Sequence, residues 1–187
     1  MDLLLIRHGE PDVEADPVDP PLTALGQAQA AATAAYLADT HLDAVYVSPQ
    51  TRAQQTSVPL LAHRDIEPVT DVRIAEFDYE IGVYQPPSLL ATTTREEMVA
   101  EFRRLQGPAF HARVLAGISD AVAANKGKTI AVVCHGGVIN SYIMHIIGST
   151  GLLSPNHASL TRVAVSSKAK VSSLITFNEH HWIPTHL

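Results

Sequence analysis

Leu3-Leu4-Leu5-Ile6-Arg7-His8-Gly9 opens the chain, and Val132-Val133-Cys134-His135-Gly136-Gly137 repeats its logic late in the sequence. Each is a run of apolar, mostly branched side chains without polar alternation, the pattern of a strand buried on both faces. Each stops at a His-Gly step. Strands covered on both sides need helices on both sides, and the rest of the chain alternates accordingly. Helical composition fills residues 22–38, with Thr23 as N-cap, and residues 50–62, where Pro59 should kink or shorten the helix. A strand at Ala44–Val47 separates them. Further on, the sequence predicts a short strand at 70–75, helices over Arg95–Leu105 and 110–124 divided by Gly107-Pro108, a strand at Thr129–Cys134, a helix at 138–147, and strands at 160–165 and 172–177. The expected fold class is α/β, a three-layer sandwich with a mostly parallel central sheet flanked by helices on both faces. Residues 1–187 form one expected domain, with a short lid or cap around 80–106. The segment from Glu10 to Pro21 holds four prolines and five acidic residues and reads as a surface loop.

Composition narrows the function. The 187 residues are 46% hydrophobic and 17% charged, enough for one globular core. A net charge of -6 is the wrong sign for coating nucleic acid or anionic lipid, so any anion must be held by a local cluster. The apolar runs fall far short of the roughly 20 residues of a membrane span, and Met1-Asp2-Leu3 opens without a basic leader. The expected location is cytoplasmic. A single cysteine, Cys134, excludes an intrachain disulfide framework and a Cys-based zinc ribbon.

If the two motif strands are parallel neighbours, His8 and His135 leave the same sheet edge, where ligands of α/β sheets bind. The glycines after them let the backbone turn tightly and approach a ligand. Arg7, beside His8, and Arg52, five residues beyond the strand end at Val47, add planar forks suited to phosphate oxygens. Two histidines with two arginines imply an oxyanion. Other readings fail on single positions. A Cys-x5-Arg phosphatase loop at Cys134 would need arginine where Asn140 stands, and Gly127-Lys128-Thr129 lacks the earlier P-loop glycine, which is Val122. His180, His181 and His186 read as a polar tail rather than a metal site, since no cysteine or carboxylate ligand set accompanies them.

These residues resemble the histidine phosphatase superfamily, the phosphoglycerate mutase-like proteins. The resemblance rests on Arg7-His8-Gly9-Glu10, on Leu22-Thr23-Ala24-Leu25-Gly26-Gln27-Ala28-Gln29-Ala30, on Ser48-Pro49-Gln50-Thr51-Arg52-Ala53-Gln54-Gln55-Thr56, and on His135-Gly136-Gly137. It implies that His8 is the nucleophile of a phosphohistidine mechanism and that Arg7, Arg52, His135 and Gly136 bind the phosphoryl oxygens. It also implies Glu76 as the proton donor, with Asp78 and Glu80 as possible substitutes. Catalytic roles thus fall on His8, Glu76 and His135, with no metal and no cofactor. The implied partner is a small phosphorylated substrate, with no nucleic acid and no membrane, and oligomeric state is left open. Pro11 and Glu14 stand where mutase-like members often have serine and asparagine, which favours a phosphatase over a mutase. A catalytically weak phospho-ligand-binding module and a metal-dependent hydrolase are the alternatives from other classes. Asn156 resembles a late family position near the pocket, without an assigned role.

Overall fold

The computed structural model describes residues 1–84, 94–149, 151–166, 168 and 171–186. Its centre is a six-stranded sheet in the order β3-β2-β4-β1-β5-β6. Strands β1 (Asp2–Arg7), β2 (Ala44–Val47), β3 (Val69–Thr70) and β4 (Thr129–Cys134) run parallel, whereas β5 (Leu160–Ser166) and β6 (Val171–Glu179) continue the sheet antiparallel. The apolar runs of β1 and β4 occupy the middle, as their lack of polar alternation requires.

Side chains of β1 alternate between two cores. Leu3 and Leu5 join Val114 and Ile118 of α5 (Pro108–Ala124) with Val138, Ile139 and Ile143 of α6 (Gly136–Ile147). Leu4 and Ile6 face the other way, clustering with Leu37, Ala53 and Leu60 beside α1 (Ala24–Tyr36) and α2 (Thr51–Leu61). Helices therefore cover both faces, and the three-layer α/β expectation holds. The Thr23 hydroxyl accepts from the Gly26 N–H at 2.9 Å and caps α1 as predicted. Gly107 precedes Pro108 at the first turn of α5, where the missing proline N–H costs no helical bond.

Local expectations change in three places. Residues 70–75 do not form one strand: β3 is two residues long, and a 3₁₀ turn follows at Val72–Ile74. The Asp71 carboxylate accepts from the Arg73 N–H at 2.9 Å, a side-chain bond that favours a turn over a ladder. Pro59 lies in the last turn of α2, which ends two residues later, so it shortens rather than breaks the helix. Helix α6 starts at Gly136, two residues earlier than the sequence predicts, which puts the His-Gly-Gly motif at a helix N-terminus. Within the expected lid region, α3 (Asp78–Ile81) and α4 (Arg95–Leu105) are formed, and residues 85–93 of that region lie outside the described residues. Among the described residues, no helix is long and apolar enough to cross a membrane.

Candidate active site at the carboxyl ends of β1 and β4

Arg7 of β1 stands opposite Cys134 of β4, and the His8 N–H donates to the Cys134 carbonyl at 2.9 Å. His8 and His135 consequently leave the sheet side by side, with ring centroids 5.1 Å apart and planes inclined by 55°. Both are buried, at 2% and 0% exposure. The exit of β1 is locked by glycines: a Cβ on Gly9 would lie 2.4 Å from the Gly26 carbonyl oxygen, and one on Gly26 would lie 2.2 Å from that of Glu10. Only bare backbone fits this crossing of β1 and α1. The Gly9 N–H donates to Thr56 Oγ1 at 3.0 Å, and that hydroxyl donates to the Arg52 carbonyl at 2.7 Å. The motif glycine and threonine thus fasten the β1 exit to α2.

The two imidazoles are held by opposite nitrogens. His8 Nδ1 lies 2.7 Å from the Gly9 carbonyl oxygen. A carbonyl only accepts, so the proton is on Nδ1 and Nε2 keeps its lone pair. His135 Nε2 instead meets the Ser48 hydroxyl at 2.7 Å, and its Nδ1 is buried with no hydrogen-bond partner among the described residues. Burial and then the Arg52 guanidinium hold both rings well below the ordinary histidine pKa. Two neutral imidazoles thus sit between cations.

Arg52 is 0% exposed. Its Nη2 donates to both Asp78 carboxylate oxygens at 3.1 Å, its Nη1 lies 3.7 Å from Asp19 Oδ1, and its Cζ lies 4.8 Å over the Tyr84 ring. Arg7 Nη1 donates to the Pro155 carbonyl at 2.5 Å. Arg7 Nε, Arg52 Nε and Arg52 Nη1 are buried without a hydrogen-bond partner among the described residues. Gly136 adjoins this cluster, since a Cβ there would lie 3.5 Å from Arg7 Nε. The N-terminus of α6 adds its positive end to the same corner.

Glu76, 8% exposed, stands across from these cations. Its Oε2 accepts from the Gly137 N–H at 2.7 Å and its Oε1 from the Phe77 N–H at 3.1 Å, while its own N–H donates to Gln50 Oε1 at 2.7 Å. A Cβ on Gly137 would lie 2.2 Å from Glu76 Oε1, so a larger residue there would displace the Glu76 carboxylate from its place. Burial, followed by the nearby Asp78 charge, pushes the Glu76 carboxyl up to about 7. Glu80 points elsewhere: it is exposed and pairs with Arg113 at 3.4 Å. Asp78 is engaged by Arg52 and by Gln50 Nε2 at 2.7 Å.

Residues 3–180 match the sequence profile of the histidine phosphatase superfamily (branch 1). The chain belongs to this superfamily. Phosphoserine phosphatase 1 of Hydrogenobacter thermophilus is 32% identical over 109 residues, 54% of this chain and 49% of that relative, so the match spans about half of its length. Solved structures match over almost the whole chain. A phosphoserine phosphatase mutant from Entamoeba histolytica, in complex with phosphoserine, has a TM-score of 0.79 at 18% identity, covering 98% of this chain and 99% of its own. The alpha-ribazole phosphatase of Shigella flexneri gives 0.74 at 24% identity, covering 96% and 97%. At these identities the two structures establish the shared fold.

Of the histidine phosphatase positions named from the sequence, Arg7, His8, Arg52, Glu76, His135 and Gly136 converge at the strand ends. Ser48, Gln50 and Thr56 lie inside quoted motifs, but their partners become visible only in three dimensions. Asp78 was legible only as an alternative acid, and the structure makes it the carboxylate that anchors Arg52. Tyr84 and His157 carry no local signal at all. Asn156 is exposed, its N–H donating to Asn178 Oδ1 at 2.7 Å. Of the C-terminal histidines, His181 packs edge-on against Tyr36 and Trp182, and His180 Nδ1 bonds the Asn178 carbonyl at 2.7 Å. Cys134 is buried in β4, and burial pushes its thiol pKa up.

Proposed function

We propose that the chain is a metal-independent phosphomonoester hydrolase acting through a phosphohistidine on His8. The observation that carries this reading is the division of the imidazole nitrogens: His8 presents an unprotonated Nε2, and His135 presents an unpartnered, buried Nδ1. If the Ser48 hydroxyl donates to His135 Nε2, the proton rests on Nδ1, which becomes a donor. Arg7 Nε and Arg52 Nε and Nη1 are further buried donors without a hydrogen-bond partner among the described residues, and the Gly136 N–H adjoins them. Buried donors without partners are costly, and a phosphoryl group supplies the acceptors.

His8 Nε2 attacks phosphorus while the ester P–O bond breaks. Charge spreading over the equatorial oxygens is met by fixed donors in a dry site. Glu76, as the carboxylic acid, gives its proton to the departing alkoxide. The resulting carboxylate then takes a proton from the water that attacks phosphorus, the P–N bond breaks, and orthophosphate leaves with His8 restored. A carboxyl held at about 7 is populated in both forms near neutral pH, which suits a group used first as acid and then as base. The guanidiniums supply the positive charge that a metal supplies elsewhere, and they repel a cation at the same place. Hydrolysis is favoured over mutase-type transfer by Pro11 and Glu14 in the loop after the nucleophile. The phosphoserine phosphatase kinship supports a small phosphorylated metabolite as substrate.

The test is hydrolysis of an aryl phosphate and of alkyl phosphates in excess chelator. Glu76→Gln should slow phosphoenzyme formation from alkyl esters by about a hundredfold and from aryl esters far less, because a good leaving group needs no proton. Equal losses on both classes would remove Glu76 from the acid role, and loss of all wild-type turnover in chelator would overturn the metal-independent reading.

A further inference from the structure

A third imidazole reaches the same strand ends from the loop that enters β5. The His157 ring centroid lies 5.5 Å from that of His8, with the planes inclined by 37°. The loop is fastened to β1 on both sides of it. Arg7 Nη1 donates to the Pro155 carbonyl at 2.5 Å, the Ala158 N–H donates to the His8 carbonyl at 3.0 Å, and the Arg7 N–H donates to the Ser159 carbonyl at 3.1 Å. Between these anchors Ala158 adopts a φ of 55°, a left-handed backbone that a residue with a Cβ avoids unless its surroundings impose it. Thr33 Oγ1 holds that residue by donating to the Ala158 carbonyl at 2.8 Å. Such strain next to a reactive centre is a mark of a side chain being aimed.

His157 is half-buried, and its ring nitrogens make no hydrogen bond to a described residue. Burial, then Arg7 and Arg52, press its pKa down to about 3, so it stands beside His8 as a neutral ring. The anchors around it end on backbone atoms of Pro155, Ala158 and Ser159, and none of them involves the side chain at 157.

We propose that His157 is a direct ligand of the phosphoryl group, an imidazole N–H donor that joins Arg7, Arg52 and His135 around the oxygens transferred to His8. This rests on the reading of the His8 pocket as a phosphoryl-transfer site. A neutral donor adds a hydrogen bond to the bound anion without adding to the repulsion between the two guanidiniums, which a further arginine or lysine would do.

Calorimetric titration with inorganic phosphate tests it, on wild type, His157→Ala and His157→Gln. The alanine variant should bind phosphate about tenfold or more weakly, the size of one hydrogen bond to a charged group, and glutamine, which keeps an N–H donor, should recover part of the loss. Unchanged affinity in a folded His157→Ala protein overturns the proposal. Should alanine at this strained loop prevent folding, nitrogen NMR of the wild-type imidazoles decides: the His157 ring nitrogens must shift on phosphate addition, and an unmoved signal overturns the proposal. The underlying reading fails separately. Absence of both phosphate binding and a phosphohistidine in the wild type would overturn the pocket itself, whereas a wild type that binds phosphate with an indifferent His157 overturns only this inference.

Discussion

The ends of β1 and β4 look alike in sequence and differ in chemistry. Both strands finish in His-Gly, both histidines are buried, and their backbones are hydrogen-bonded neighbours. At β1 the ring is fixed through Nδ1 by its own following carbonyl, so Nε2 is the free atom. At β4 the ring is fixed through Nε2 by Ser48, brought in from the end of β2, and Nδ1 is the free atom. The surroundings also differ. Gly9 faces the α1 crossing, whereas Gly136 and Gly137 open α6 and put backbone N–H groups beside Arg7 and Glu76. A repeated dipeptide thus yields one proposed nucleophile and one proposed donor, and the group behind each imidazole decides which is which.

The largest expected effect comes from exchanging the nucleophile. His8→Ala should lower kcat by at least about a thousandfold and abolish the acid-labile phosphoenzyme. A labelled, active His8→Ala protein would place the covalent step elsewhere. His135→Ala removes one donor to the transition state and should cost about a hundredfold in kcat while the phosphoenzyme still forms. If this variant is instead the one that fails to label, the two roles are reversed. Ser48→Ala removes the hydroxyl that orients the His135 ring, together with a long 3.4 Å acceptor for the Gln50 N–H, so a loss of about tenfold is expected. A Ser48→Ala enzyme indistinguishable from wild type would show that the ring needs no orienting hydroxyl.

The smallest effect is on stability. His8 and His135 both have their folded pKa depressed from 6.5, so below that pH the unfolded chain binds protons that the folded one refuses. Stability should therefore be full above about pH 6.5 and fall on acidification, each histidine contributing at most about 1.4 kcal/mol per pH unit. Melting curves between pH 8 and 5 should show a shallower acid-side decline for either alanine variant than for wild type. A decline unchanged by both substitutions would mean that the acid response comes from other groups.

The histidine–histidine pairing was legible because its signal is local and repeated: an apolar run fixes a buried strand, and a His-Gly step marks its end. Arg52 was legible from its place just beyond β2. The short β3 was not, since residues 70–75 have strand-like composition and Asp71 turns the chain through a single side-chain bond. The role of Asp78 was hidden for a different reason. An acidic residue near Glu76 looks like a second candidate acid until the fold seats it on Arg52.

By itself the sequence determined the layered α/β architecture, the two strands that meet at the centre and the residue types that gather at their ends. Apolar periodicity and glycine placement act over a few residues and survive in one dimension. Only the tertiary structure decided which nitrogen of each histidine is free, which carboxylate holds Arg52 and which is pushed up to about 7, and that His157 stands against His8. Those properties belong to pairs of groups from distant segments, and burial fixes them only once the segments have met.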